Sequence, residues 1–163
     1  MIIWLIGISG SGKTTLGRML KTYYKDKGKK CYLLDGDEVR TLFDNDLGYS
    51  DQEREANIKR IILGAYLLDQ NDIIGIICNI SPFQKLRDLA RKKISGYNEI
   101  YLERDIETSV RRDVKGMYKS NIGKTEIVGL GQKFDTPTKC DLHINTDSMT
   151  EVESFEIIKE FII

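Results

Sequence analysis

The 163 residues suit one domain, 1–163, of a size that buries about 70% of its unfolded surface. Twenty-five Lys+Arg balance twenty-five Asp+Glu, giving zero net charge and a pI of about 6.6, which excludes a broad nucleic-acid or membrane-surface binder; any anion site must be a local cluster of cations. The three cysteines have no zinc spacing and read as reduced thiols of a cytoplasmic protein, Met1 leads straight into a strand without a secretory n-region, and no apolar run reaches membrane-spanning length.

Ile2 to Ile6 is apolar throughout, the pattern of a central parallel strand. Gly7-Ile8-Ser9-Gly10-Ser11-Gly12-Lys13-Thr14 follows, and a helical pattern then runs from Lys13 to about Lys27, with Gly28 as its stop. Strand, glycine-rich loop and helix are the setting in which G-x-x-x-x-G-K-[ST] marks a phosphate-binding loop. Glycines let backbone N–H groups curl inward at phosphate oxygens, and the helix N-terminus adds its dipole. Gly7, Ser9, Gly10, Ser11, Gly12, Lys13, Thr14 and Thr15 are therefore candidate ATP-binding residues. Lys13 would reach the β and γ phosphates, and the Thr14 hydroxyl would ligate Mg²⁺.

A second strand, Lys30 to Leu34, ends at Asp35-Gly36-Asp37, and Arg40 follows on a short helical segment. Ser50-Asp51-Gln52-Glu53 has the form of a capping box and opens a helix to about Gln70, with Ile58, Ile61, Ile62, Ala65 and Leu68 on one face. The third strand is Ile73 to Ile80. Ser81-Pro82 predicts an N-cap with proline at the first helical position, opening a helix to about Ile94. The fourth strand is Glu99 to Leu102, and a helix follows from Asp105 to Arg112. Residues 113–138 are rich in Lys and Gly, lack periodicity and are long for a connection, which predicts a lid. Asp141 to Asn145 is the fifth strand, with His143 read as structural between apolar neighbours. Ser148 to Glu151 would cap a last helix to about Phe161. This alternation predicts an α/β fold of the P-loop NTPase kind: five parallel strands with helices on both faces.

Ligands of such sheets bind beyond the carboxyl ends of the strands, where Gly7, Asp35, Asn79 and Glu103 fall. Asp35 is assigned to Mg²⁺ and Asp37 to the acceptor hydroxyl as base; the alternative is a D-G-D turn of solvated acids. Arg54, Asn57 and Arg60 share a helix edge and, with Arg40, would clamp an anionic acceptor; the alternative is a solvated face paired with Glu53 and Glu55. Arg111, Arg112, Lys115, Lys119 and Lys124 crowd the lid, where cations would neutralise charge on the transferring phosphoryl group; the alternative for each single lysine is a solubility residue, the reading preferred for Lys124. No guanine-reading N-K-x-D is present, so a GTPase is not expected. A small kinase is expected, with a non-catalytic nucleotide-binding module and a kinase for a non-nucleotide acceptor as the other classes.

These residues resemble the adenylyl-sulfate (APS) kinases, P-loop kinases that phosphorylate the 3′-hydroxyl of adenosine 5′-phosphosulfate. The resemblance runs through Gly7 to Thr14, Asp35-Gly36-Asp37 with Arg40, and Asp46-Leu47-Gly48-Tyr49-Ser50. It continues through Arg54, Asn57 and Arg60, Ile80-Ser81-Pro82, and Arg112-Asp113-Val114-Lys115-Gly116-Met117-Tyr118-Lys119. It implies that Arg40, Arg54, Asn57, Ile80, Ser81 and Lys115 hold a small nucleotide acceptor, that ATP and Mg²⁺ are used, and that the protein is a homodimer.

The chain departs from the family at the base site. The family's lid Phe-Thr-Gly, whose ring stacks on adenine, is Ile127-Val128-Gly129 here, while Tyr49 keeps the opposite aromatic wall. Ser-Pro-Tyr-Arg becomes Ser81-Pro82-Phe83-Gln84, Pro becomes Val114, and an acidic lid residue becomes Gly131. One lost stacking face is worth about 1–3 kcal/mol, or ~5- to 150-fold in adenine affinity. A pyrimidine would miss that ring less. The departures therefore lean toward the family branch that phosphorylates cytidine diphosphoramidate in capsule decoration, with adenylyl sulfate as the alternative acceptor.

Overall fold

The computed structural model describes residues 1–112, 116, 127–129 and 131–162, with Arg112 described in its backbone only. Five parallel strands form one sheet in the order β2-β3-β1-β4-β5: β1 Ile2–Ile6, β2 Cys31–Asp35, β3 Ile74–Cys78, β4 Tyr97–Glu103 and β5 Leu142–Asn145. The described helices are α1 Lys13–Asp26, α2 Gly36–Leu42, α3 Asp51–Gln70, α4 Gln84–Lys93, α5 Ile106–Arg112 and, last, α6 Glu151–Ile162.

β1 pairs on both sides, with Ile3 opposite Ile76 of β3 and Asn98 of β4, and all five of its residues are buried. Its side chains alternate between two cores. Ile2, Trp4 and Ile6 pack with Val39 of α2, Ile58, Ile61 and Ala65 of α3, and Leu86 and Ala90 of α4. Ile3 and Leu5 pack with Leu16 and Leu20 of α1 and Ile158 of α6. Each fully buried Ile or Leu contributes about 1.5–3 kcal/mol. Both layers thus brace the one strand that delivers the phosphate loop.

Helix starts explain the main differences from the sequence reading. The α3 capping box forms as expected: the Ser50 hydroxyl accepts from Glu53 N–H, and the Glu53 carboxylate accepts from Ser50 N–H. Ser81, by contrast, does not cap α4. It lies at φ 50°, and its hydroxyl accepts from Trp4 Nε1 at 2.9 Å and from Asn79 Nδ2 at 3.0 Å. The helix begins at Gln84, whose N–H donates to the Asp135 carboxylate at 3.1 Å. That cap comes from 51 residues away, beyond the reach of a local pattern. At α6 the cap is Thr150, which exchanges hydrogen bonds with Glu153. His143 lies on edge strand β5, about half exposed, pairing with Glu103 at 2.9 Å and stacking on Tyr101. No described helix is long and apolar enough to cross a membrane, and Cys31, Cys78 and Cys140 are not joined in disulfides.

Candidate active site

The loop after β1 turns where only glycine fits. Gly7 sits at φ 147°, and a Cβ there would stand 2.4 Å from the Leu102 carbonyl oxygen. The N-cap of α1 is Gly12, which offers no side chain to the first-turn N–H groups, and that turn holds no acid. An uncapped helix start in a glycine cradle is a receptor for phosphate oxygens. Lys13 Nζ arches back over the loop and donates to the carbonyls of Gly7 and Ile8 at 2.8 and 2.7 Å.

Across the loop, Thr14 Oγ1 donates to Asp35 Oδ2 at 2.8 Å. The other oxygen of Asp35 accepts from Asp37 N–H at 3.0 Å and so caps α2. A hydroxyl and a carboxylate side by side are hard oxygen donors of the kind Mg²⁺ takes. Among the described residues no cluster of three His, Cys, Asp or Glu would hold a metal by itself. That fits a cation held by one or two protein oxygens together with phosphates and water.

The loop opens into a cleft of about 690 Å³. Ser9, Gly10, Gly12, Lys13, Thr14 and Thr15 line one end, and Asp35, Asp37, Arg40, Tyr49, Arg54, Asn57, Ile80 and Ile127 line the rest. Gly7, Ser11 and Ser81 do not line it. Ser11 and Ser81 are buried, the latter committed to Trp4 and Asn79. Lys115 lies outside the described residues, as do Lys119, Lys124 and the side chain of Arg112.

The arginines divide their work. Arg40 is buried and donates from Nη1 to the carbonyls of Leu47 and Gly48 at 2.9 and 2.7 Å. Its guanidinium lies 4.5 Å from the Tyr49 ring centre, and that of Arg54 lies 5.2 Å from it. Asn57 is buried; its Nδ2 donates to the Gly36 carbonyl, and its Oδ1 has no partner among the described residues. Arg60 does not join them. It forms a two-pronged pair with Asp46 at 2.7 Å on the outside and lies over Phe43. Its hydrogen bonds hold the Asp46 carboxyl below the usual carboxylate range.

Sequence reasoning passed over Arg104 and Ser109, which also line the cleft. Arg104 donates to the Gly10 carbonyl at 2.7 Å and to the Thr146 carbonyl at 2.6 Å, tying the phosphate loop to the end of β5. Its position directly after β4 was the available signal, because strand carboxyl ends bear the site in this architecture.

A phosphate loop, an adjacent acid pair and an arginine-lined cleft at the carboxyl edge of a parallel sheet define a P-loop kinase. Residues 1–145 match the adenylylsulphate kinase family, and the chain belongs to that family. It is 38% identical to the adenylyl-sulfate kinase of Halothermothrix orenii over 162 residues, 98% of this chain and 88% of the relative. The Mycobacterium tuberculosis APS kinase, solved in complex with AMPPNP and APS, superposes with a TM-score of 0.89 at 28% identity, over 99% of this chain and 96% of that one. A hexameric APS kinase from Thiobacillus denitrificans gives a TM-score of 0.74 at 26% identity, over 99% of this chain and 28% of that one. The chain is accordingly a phosphotransferase with a hydroxyl acceptor, acts on a small nucleotide, and uses ATP with Mg²⁺.

Proposed function

We propose that the protein is an adenylyl-sulfate kinase, with residues 1–163 as one kinase domain that transfers the γ-phosphoryl of ATP to the ribose 3′-hydroxyl of adenosine 5′-phosphosulfate. The observation that carries this reading is the convergence of Asp37, Arg40, Arg54 and Asn57 with the phosphate loop on one cleft. The APS bound in the Mycobacterium tuberculosis relative supports it.

In this reading the loop amides and Lys13 hold the β and γ phosphates, and Thr14 and Asp35 hold the cation. Bound Mg²⁺ supplies neutralisation of charge on the phosphates. Asp37 orients the 3′-hydroxyl and accepts its proton. Arg54 and Asn57 position the nucleotide, with Arg40 fixing the Leu47–Gly48 backbone beneath Tyr49. Tyr49 and Ile127 form the base walls, and Ile80 lines the floor. Lys115 keeps the acceptor role that the resemblance implies, and Arg112 is assigned to ATP as a cation of the lid. Three cysteines, an odd number lying near apolar stretches, support a reducing, cytoplasmic setting. Exposed Leu63, Tyr66 and Leu67 on α3 support a homodimer, for which light scattering should give twice the 18.7 kDa chain mass.

Ile127 favours a second reading. It is buried at the cleft as an aliphatic wall where the family sequence has an aromatic, which suits a cytidine acceptor such as cytidine diphosphoramidate. ADP release from Mg-ATP with adenylyl sulfate, cytidine diphosphoramidate and CDP separates the two. Higher kcat/KM with adenylyl sulfate supports the first, and higher kcat/KM with the cytidine compound replaces it with the second.

A further inference from the structure

The turn that carries Ile127 touches both ends of the cleft. It is closed by Gln132 N–H on the Ile127 carbonyl at 3.1 Å and by Gly129 N–H on the Gln132 carbonyl at 2.9 Å. On the donor side it lies against the phosphate loop and α5. Gly129 sits at φ 95°, and a Cβ there would come within 3.1 Å of Ile106 and 3.3 Å of Ile8. On the acceptor side Gln132 reaches across, and its Nε2 donates to the Tyr49 carbonyl at 2.9 Å.

That carbonyl is a junction. Arg54 Nε donates to it as well, at 2.9 Å, while Arg40 holds the two preceding carbonyls. The Tyr49 loop is therefore anchored from α2, from α3 and from the turn. Among the described residues, the last anchor joins the Tyr49 wall to the Ile127 wall by a hydrogen bond between the two segments.

We propose that Gln132 is a positioning residue for the acceptor: its amide clasps the Ile127 turn to the Tyr49 backbone and fixes the spacing of the two walls between which the base lies. This rests on the acceptor site proposed above. Aliphatic Ile127 gives the turn less ring surface with which to grip a base, so wall spacing has to come from the protein itself. The clasp acts on acceptor binding and not on ATP, since the turn meets Ile8 and Ile106 at Gly129, while the Gln132 amide donates to the Tyr49 carbonyl on the acceptor side.

Gln132→Met keeps length and removes the donor. Gln132→Glu keeps shape and sets a carboxylate against the Tyr49 carbonyl. One neutral hydrogen bond corresponds to about 2- to 10-fold in binding. Both variants should raise the acceptor KM by about that factor, Glu more than Met, with the KM for ATP within about 2-fold of the unmodified protein. Hydrogen–deuterium exchange should speed up in segments 43–50 and 127–132 and stay unchanged in α1. Unchanged exchange in both segments overturns the clasp. Equal rises in the KM values for acceptor and ATP overturn the positioning role. If the unmodified protein released no ADP with any nucleotide, the functional reading would fail, and the exchange measurement would still decide the clasp.

Discussion

Thr14 and Asp35, 21 residues apart in the chain, are joined by a 2.8 Å hydrogen bond from hydroxyl to carboxylate. The bond ties the first turn of α1 to the end of β2, and the same carboxylate caps α2 through Asp37 N–H. One side chain thus orients the proposed metal donor, starts the helix bearing Arg40, and sets the backbone of the proposed base.

Asp35→Asn should therefore separate metal affinity from folding. The amide retains an oxygen for the α2 cap but loses the charge that faces a divalent cation. The Mg²⁺ concentration for half-maximal ADP release should rise about 10- to 100-fold, the range seen when a metal site's supporting groups are altered. The melting temperature should change little. Asp35→Ala, which also removes the cap, should lose a further ~1 kcal/mol of stability.

Lys13→Ala should leave the fold intact and lower turnover by at least about 100-fold, the scale of removing one group aimed at developing charge. Asp37→Asn should lower kcat by about 100-fold or more at nearly constant acceptor KM, the loss expected for a general base. A rise confined to KM would make Asp37 a binding residue. Circular dichroism and steady-state ADP release on the same samples check both variants.

The alternation of strands and helices, the phosphate loop and the α3 capping box were legible because each rests on residues close in sequence, whereas the strand order rests on long-range pairing such as Ile3 with Ile76 and Asn98. Ile2 to Ile6, Gly7 to Thr14 and Ser50 to Glu53 carry their own signals. The start of α4 was not legible, since its cap is Asp135 and its neighbour Ser81 is taken by Trp4 Nε1. Arg60 shares a helix edge with Arg54 and Asn57 but turns outward, because Asp46 meets it with both oxygens. Helical spacing gives a face; it does not say which partner waits there. Arg104 was missed because its role is to hold two carbonyls, Gly10 and Thr146, and such contacts leave no pattern in side-chain types.

Acid should weaken the fold through Asp141. Burial alone would raise its carboxyl, but Arg91 donates to both oxygens at 3.0 and 2.8 Å and Glu99 N–H donates at 2.6 Å, so the net shift is downward. A carboxyl lowered in the folded state stabilises above its unfolded pKa, about 4, and loses that contribution as pH falls through the lower folded value. Neighbouring Glu99 runs the other way. Burial raises its carboxyl, so its contribution is present at low pH and fades as pH rises through the raised value. Asp141→Asn should thus melt below the unmodified protein at pH 7, with the gap closing toward pH 3. A gap constant over that range would remove the assignment. Melting curves at half-unit pH steps supply the test.

Ile127→Phe tests the base site directly. Ile127 is 2% exposed and lines the cleft on the side reached by the Gln132 turn, while Tyr49 lines it from the loop before α3. Restoring a ring there returns one stacking face, worth about 1–3 kcal/mol per base. The gain is larger for a purine than for a pyrimidine, because adenine offers the larger π-face. The ratio of kcat/KM for adenylyl sulfate over cytidine diphosphoramidate should rise by ~5-fold or more, mostly through the adenylyl-sulfate KM. The added volume sets the limit: a phenyl in a site shaped for an aliphatic chain costs roughly 1–3 kcal/mol if the walls cannot shift, and a fall in melting temperature would register it. A rising ratio at constant melting temperature makes Ile127 the residue that sets base preference. An unchanged ratio places base selection elsewhere, with Tyr49 and its two flanking guanidiniums as the next site to vary.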